Sequence, residues 1–121
     1  MIEVEKDNLK RLVLLCQQCY GNTLELSPAR YQMIYELKKR GYKIYLFLPE
    51  TVRNARIKSE LFQATNTLNM STKEIRNKIR KINPKYIIAS TYEDTNILYP
   101  LPWLMRNTVF IYYNLERMKE K

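Results

Sequence analysis

Residues 27–48 read SPARYQMIYELKKRGYKIYLFL, and this stretch decides the fold of the chain. Ser27 followed by Pro28 predicts the start of a helix, because serine caps the first turn and proline suits its first position. Three basic residues suit the negative end of that helix, and Gly41 can adopt the left-handed conformation that ends it. The apolar run at 43–48 then predicts a strand.

A second apolar run precedes this stretch. Residues 11–16 read RLVLLC, which is typical of a strand buried on both faces, as in parallel sheets. Strand, helix and strand together predict a βαβ unit, whose crossover is right-handed in nearly all proteins.

The alternation continues downstream. Ser71 and Glu74 form a capping-box pattern that predicts a helix ending at the Asn83-Pro84 pair. A short helix is predicted at 96–106, interrupted near its two prolines. Further strands are predicted as an edge strand within 61–68, a strand at 85–90 and a last strand at 108–113.

Regular alternation of strands and helices predicts the fold class. We expect one α/β domain over residues 1–121, a doubly wound, mainly parallel Rossmann-like sheet flanked by helices. Such folds bind ligands beyond the carboxyl ends of their strands. The expected functional segments are therefore 17–23, 49–53, 91–96 and 114–117.

Composition excludes several function classes. The chain has 121 residues, no histidine and only two glycines. Without histidine there is no histidine base, no histidine-containing triad and no histidine-ligated metal. Gly21 and Gly41 cannot form a dinucleotide-binding fingerprint or a P-loop. Cys16 and Cys19 form an isolated C-x-x-C at a strand end, which predicts a buried Cys16 and no metal site.

The charge balance indicates an anionic partner. Lys and Arg total 21 against 12 Asp and Glu, a formal net charge of +9. The predicted helix at 71–82 has the strongest excess of positive charge, because Glu74 is its one acid. Its isoleucines are needed for the core, so we weigh a solvated face against contact with an anionic membrane without deep insertion. Its basic residues are Lys73, Arg76, Lys78, Arg80 and Lys81.

Charged residues also occur beyond the carboxyl ends of the predicted strands, where we expect the functional segments. Glu93 and Asp94 follow one strand, and Glu116 follows the last; carboxylates there can bind sugar hydroxyls or act as a base. Helix capping is the stronger interpretation for Asp94. Arg30 lies in the first turn of a predicted helix, where it opposes the helix dipole.

Several stretches in order carry a family resemblance. The first two of these stretches are residues 10–16 and 27–30. The next stretch, residues 35–46, is similar to the pattern x-x-L-x-x-x-G-h-x-V-x-V. Residues 83–90 are similar to k-P-D-h-I-h-a-h, and 109–116 to h-h-Y-x-x-E. Together, residues 9–116 resemble the N-terminal half of a GT-B glycosyltransferase of the broad family-4 or group 1 kind, as in bacterial capsule and exopolysaccharide synthesis.

The resemblance implies an acceptor-binding half-enzyme. The acceptor would be a saccharide or a lipid-linked sugar, and the nucleotide-sugar donor would bind a C-terminal half that is absent here. No cofactor is expected in this domain, which alone would be inactive. The protein would be cytoplasmic or peripheral at the inner face of the plasma membrane. The implied cleft residues are Gly21, Asn22, Thr23, Arg30, Thr91, Tyr92, Glu93 and Asn114, with Glu116 as the candidate catalytic group.

One departure from the family and one alternative stand beside this hypothesis. Many members carry a histidine after the last of these strands, where this chain has Tyr113-Asn114-Leu115-Glu116. The alternative function is a small basic flavodoxin-like module that binds nucleic acid or another anion without catalysis. It ranks second because the chain carries no recognised nucleic-acid motif.

Overall fold

The chain forms a five-stranded parallel sheet with helices on both faces in a computed structural model. The structure describes residues 9–16, 28–49, 62–89 and 92–112. The strands are β1 (Arg11–Leu15), β2 (Lys43–Leu48), β3 (Gln63–Asn66), β4 (Tyr86–Ala89) and β5 (Val109–Tyr112). The helices are α1 (Pro28–Lys39), α2 (Thr72–Ile82), α3 (Tyr92–Leu98) and the single turn α4 (Leu101–Leu104).

The strand order is β3-β2-β1-β4-β5, and every pair is parallel. The predicted α/β, Rossmann-like fold class is therefore confirmed. The predicted edge strand is confirmed as well: β3 is a short, polar and mostly exposed strand at one edge. Successive strands run outward from β1 on both sides, so the order reverses between β1 and β4.

β1 divides the core into two clusters. Leu12 and Leu14 pack with α1 on one face of the sheet. Val13 and Leu15 pack with α2, α3 and α4 on the other. Residues 12–16 are all buried, as expected for a strand covered on both faces. Cys16 is buried as predicted, whereas Cys19 lies outside the described residues.

The helix α1 ends just before Gly41, as the sequence predicts. Gly41 has a φ of +90°, in the left-handed region that favours glycine. The amide of Gly41 donates to the Lys38 carbonyl and that of Tyr42 to the Leu37 carbonyl, at 3.0 and 3.1 Å. These bonds satisfy the last carbonyls of α1 and turn the chain into β2.

The capping box of α2 is confirmed in both directions. The Glu74 amide donates to the Ser71 hydroxyl at 3.1 Å, and the Ser71 amide donates to the Glu74 carboxylate at 3.0 Å. Asn83 ends the helix in the left-handed conformation with a φ of 50°. Ile75 and Ile79 are buried, and they anchor α2 on the sheet.

The prediction for the last helical segment was wrong at its start. The sequence predicts a helix from Asn96, but α3 begins at Tyr92, only three residues after the end of β4. The crossover from β4 to β5 is short, so its helix begins soon after β4 ends. An acid in the first turn of that helix also suits the helix dipole. The predicted interruption is confirmed, because Pro100 lies between α3 and α4.

We predict that Ile79→Ala lowers the free energy of unfolding by about 2–5 kcal/mol. The side chain is fully buried between α2 and the sheet, and its loss leaves a cavity. Urea unfolding followed by circular dichroism measures the change. Asn77→Ala is the matched control on the same helix, since Asn77 is exposed. Equal stability of the two variants would contradict the packing described here.

Candidate functional site

The reversal of strand order defines the candidate site. β1 and β4 are neighbours, with Leu14 opposite Ile88 in the register. The chain leaves β1 after Leu15 and leaves β4 after Ala89, and because the two strands are parallel both exits lie on the same edge of the sheet. Open α/β sheets bind ligands in the crevice beyond this point.

Most of the predicted cleft residues follow these strand ends. Their strands β1, β4 and β5 are consecutive in the sheet, so the segments that carry them start side by side. The predicted residues that lie outside the described part of the chain are Gly21, Asn22, Thr23, Thr91, Asn114 and Glu116.

Three other predicted residues have a described backbone. Arg30 lies in the first turn of α1, as predicted, at the end of the helix that faces the carboxyl edge. Tyr92 and Glu93 are the first two residues of α3. The sequence predicts a helix only from Asn96, whereas the structure places both residues inside α3.

Asp94, for which the sequence favours helix capping over binding, lies in the first turn of α3. It is the third residue of α3 and is fully buried at the start of the crossover from β4. Carboxylates are rarely buried to this degree unless they are paired, and Asp94 does have an interaction partner. An acid directly after a buried strand was the available signal, but it is shared with ordinary helix caps.

Comparison with known protein families, with curated proteins and with solved structures found no match.

At the opposite edge, polar side chains serve the fold. The Arg11 guanidinium donates to the Ile82 carbonyl at 2.8 Å, at the negative end of α2. The Thr108 hydroxyl donates to the Pro84 carbonyl at 2.7 Å, joining the entries of β4 and β5. Because these groups are committed to turn and helix carbonyls, the carboxyl edge is the better candidate for binding.

The basic residues of α2 divide into two stripes that flank its isoleucines. Lys73, Arg76 and Arg80 follow helical spacing on one flank, and we call them the basic stripe. Lys78 and Lys81 share the other flank with Glu74, so that flank is mixed in charge. The five basic residues predicted to bind an anion therefore lie on two flanks of the helix.

Arg76 differs from its neighbours on the basic stripe. Its guanidinium donates to the Ile97 carbonyl of α3 at 3.2 Å, and its side chain is half-buried. Lys73 and Arg80 are exposed. Arg76 therefore uses part of its hydrogen-bonding capacity to join α2 to α3, and its role in anion binding stays a prediction.

We predict that Arg76→Gln destabilises the domain by about 1 kcal/mol, because it removes a hydrogen bond from a charged donor at a partly exposed position. Arg80→Gln, the same change one turn away, should alter the free energy of unfolding by less than about 0.5 kcal/mol. Urea unfolding compares the two variants. A larger loss in Arg80→Gln would contradict the assignment of Arg76 to the α2–α3 contact.

Proposed function

We propose that this domain is the acceptor-binding half of a GT-B glycosyltransferase. It would bind a saccharide, carried on a lipid diphosphate, at the carboxyl edge of the sheet beyond β1 and β4. The nucleotide-sugar donor would be held by a second domain, and Glu116 is the candidate catalytic group. The observation that carries the proposal is the reversal of strand order between β1 and β4.

The family resemblance and the fold support the proposal together. The resembling passage at 35–46 spans the end of α1 and most of β2, and that at 83–90 covers the entry and length of β4. The passage at 109–116 begins with β5. The quoted motifs that fall on described residues thus lie on successive strands and helices of one parallel sheet, which supports the proposal.

The charge at this edge suits a diphosphate. α1 directs its amino end, the positive end of its dipole, to the carboxyl edge and has no acid in its first turn. Arg30 adds a full positive charge in that same turn. Backbone amides at a helix start and a nearby arginine are common partners of phosphate groups. Neutral saccharides would need neither feature, which is why we favour a lipid-diphosphate-linked acceptor.

The proposal is tested by amide chemical-shift mapping of the chain. The acceptor probe is a farnesyl-diphosphate-linked disaccharide, and the reference probes are farnesyl diphosphate and UDP-glucose. We predict that the disaccharide probe shifts amides that flank the ends of β1 and β4, at 16–23 and 90–94. Amide shifts that the disaccharide probe causes and farnesyl diphosphate does not cause indicate contact with the sugar. UDP-glucose should leave the edge unshifted, because the donor belongs to the second domain.

A matched pair of arginines at opposite ends of α1 sharpens the test. Arg30→Gln should weaken binding of the disaccharide probe about tenfold, since it removes a charge-assisted contact. Arg40→Gln is the control, because Arg40 is exposed just beyond the other end of the helix. Equal affinities of the two variants, or a preference of the edge for UDP-glucose, would overturn the proposal.

A further inference from the structure

Three large apolar side chains are exposed at the α3–α4 junction. Tyr99, Trp103 and Leu104 have 67%, 65% and 56% of their surface accessible. The rings of Tyr99 and Trp103 pack against each other, with centroids 5.3 Å apart. We call these three residues the aromatic knuckle. Its exposure is unusual, because such side chains are normally covered unless they meet a partner.

The aromatic knuckle and the basic stripe lie on the same side of the sheet. α2, α3 and α4 all pack on the same face of the sheet. The Arg76–Ile97 hydrogen bond aligns α2 with α3, and the Thr108–Pro84 bond aligns the ends of both crossovers. Arg80 lies one turn beyond Arg76, and the knuckle follows Ile97 in the same direction. Arg80 and the knuckle therefore both lie toward the amino edge of the sheet, where α2 and α3 end.

We propose that this surface binds the anionic face of a lipid bilayer, with the aromatic knuckle inserted at the headgroup level. Lys73 and Arg80 would pair with lipid phosphates, and Trp103 would lie between the headgroups and the acyl chains. The inference does not depend on the proposed acceptor site, because the two share no residue.

The chemistry of both parts fits a bilayer. Tyr and Trp are enriched at membrane interfaces because their rings are apolar while the hydroxyl and indole N–H are polar. Basic residues beside them are attracted to anionic headgroups. The basic stripe contributes three positive residues and no acid to this side of α2. The surface we propose thus combines positive charge with an apolar patch.

A bilayer is a better partner than a nucleic acid for this surface. Single-strand binding uses aromatic rings on which successive bases stack, and the 59° angle between the Tyr99 and Trp103 rings does not offer two parallel platforms. The exposed Leu104 offers nothing to a base, but it gains from burial among acyl chains. Within the described part of the chain, no helix has the length and apolar character needed to cross a bilayer. The binding we propose is therefore at the surface.

The chain supplies its own probe, because Trp103 is its single tryptophan. We expect its fluorescence to shift to the blue when vesicles of phosphatidylcholine and phosphatidylglycerol in equal amounts are added. Vesicles of phosphatidylcholine alone should leave it almost unchanged. Phosphatidylglycerol carrying brominated acyl chains should quench it, which reports insertion as distinct from attraction.

Two double variants of α2 distinguish binding through this surface from unspecific electrostatic attraction of the whole basic chain to the vesicle. Replacing Lys73 and Arg80 by Gln should weaken vesicle binding about 25-fold, since each basic residue at the surface contributes about fivefold. Replacing Lys78 and Lys81 by Gln changes the net charge equally on the other flank, and should weaken binding less than about threefold. Trp103→Ala, measured by vesicle flotation, should weaken it about tenfold. Urea unfolding of each variant shows that the fold is intact.

Three results would overturn the proposal. The first is an unchanged Trp103 emission with anionic vesicles. The second is equal weakening by the two double variants, which would mean unspecific attraction. The third is quenching of Trp103 by single-stranded DNA in the absence of any response to vesicles, which would assign the surface to nucleic acid. A failed acceptor titration leaves each of these readouts unaffected.

Discussion

The pairing of β1 with two parallel neighbours is the constraint on which the rest of this structure depends. β1 bonds β2 on one side and β4 on the other, and residues 12–15 are buried on both faces. Alternate side chains of this single strand enter the two core clusters. A shift of its register by one residue would exchange those clusters, so hydrophobic burial fixes the register strongly. The same pairing places the exits of β1 and β4 together, which creates the candidate site.

The two edges of the sheet then differ in what their polar groups do. At the amino edge, Arg11 and Thr108 are engaged with carbonyls of neighbouring turns and helices. At the carboxyl edge, the positive end of α1 and Arg30 lie near the point where the strand order reverses. Asp94 is buried there and has an interaction partner, as a carboxyl group at that depth requires. The polar groups of the amino edge thus have structural partners, and the carboxyl edge is the one for which we propose binding.

Local patterns predicted the elements that local chemistry decides. The Ser71–Glu74 capping box, the left-handed Gly41 and the apolar strands are encoded within a few residues of each element, and the structure has all of them. The start of α3 was missed because it depends on where β4 ends in three dimensions. The contact between Arg76 and Ile97, and the exposure of Trp103, were missed because both depend on how α2 packs beside α3. Periodicity identifies a helix face, but not which neighbour that face meets.

The central role of β1 is tested most directly by native-state hydrogen exchange in increasing denaturant. The account predicts that the amides of residues 12–16 exchange only through global unfolding, since β1 lies between two partner strands and two core layers. Amides of the edge strands β3 and β5 should exchange at lower free energy, because within the described part of the chain each pairs with one neighbour only. Exchange of the β1 amides at lower free energy than those of β5 would contradict the account.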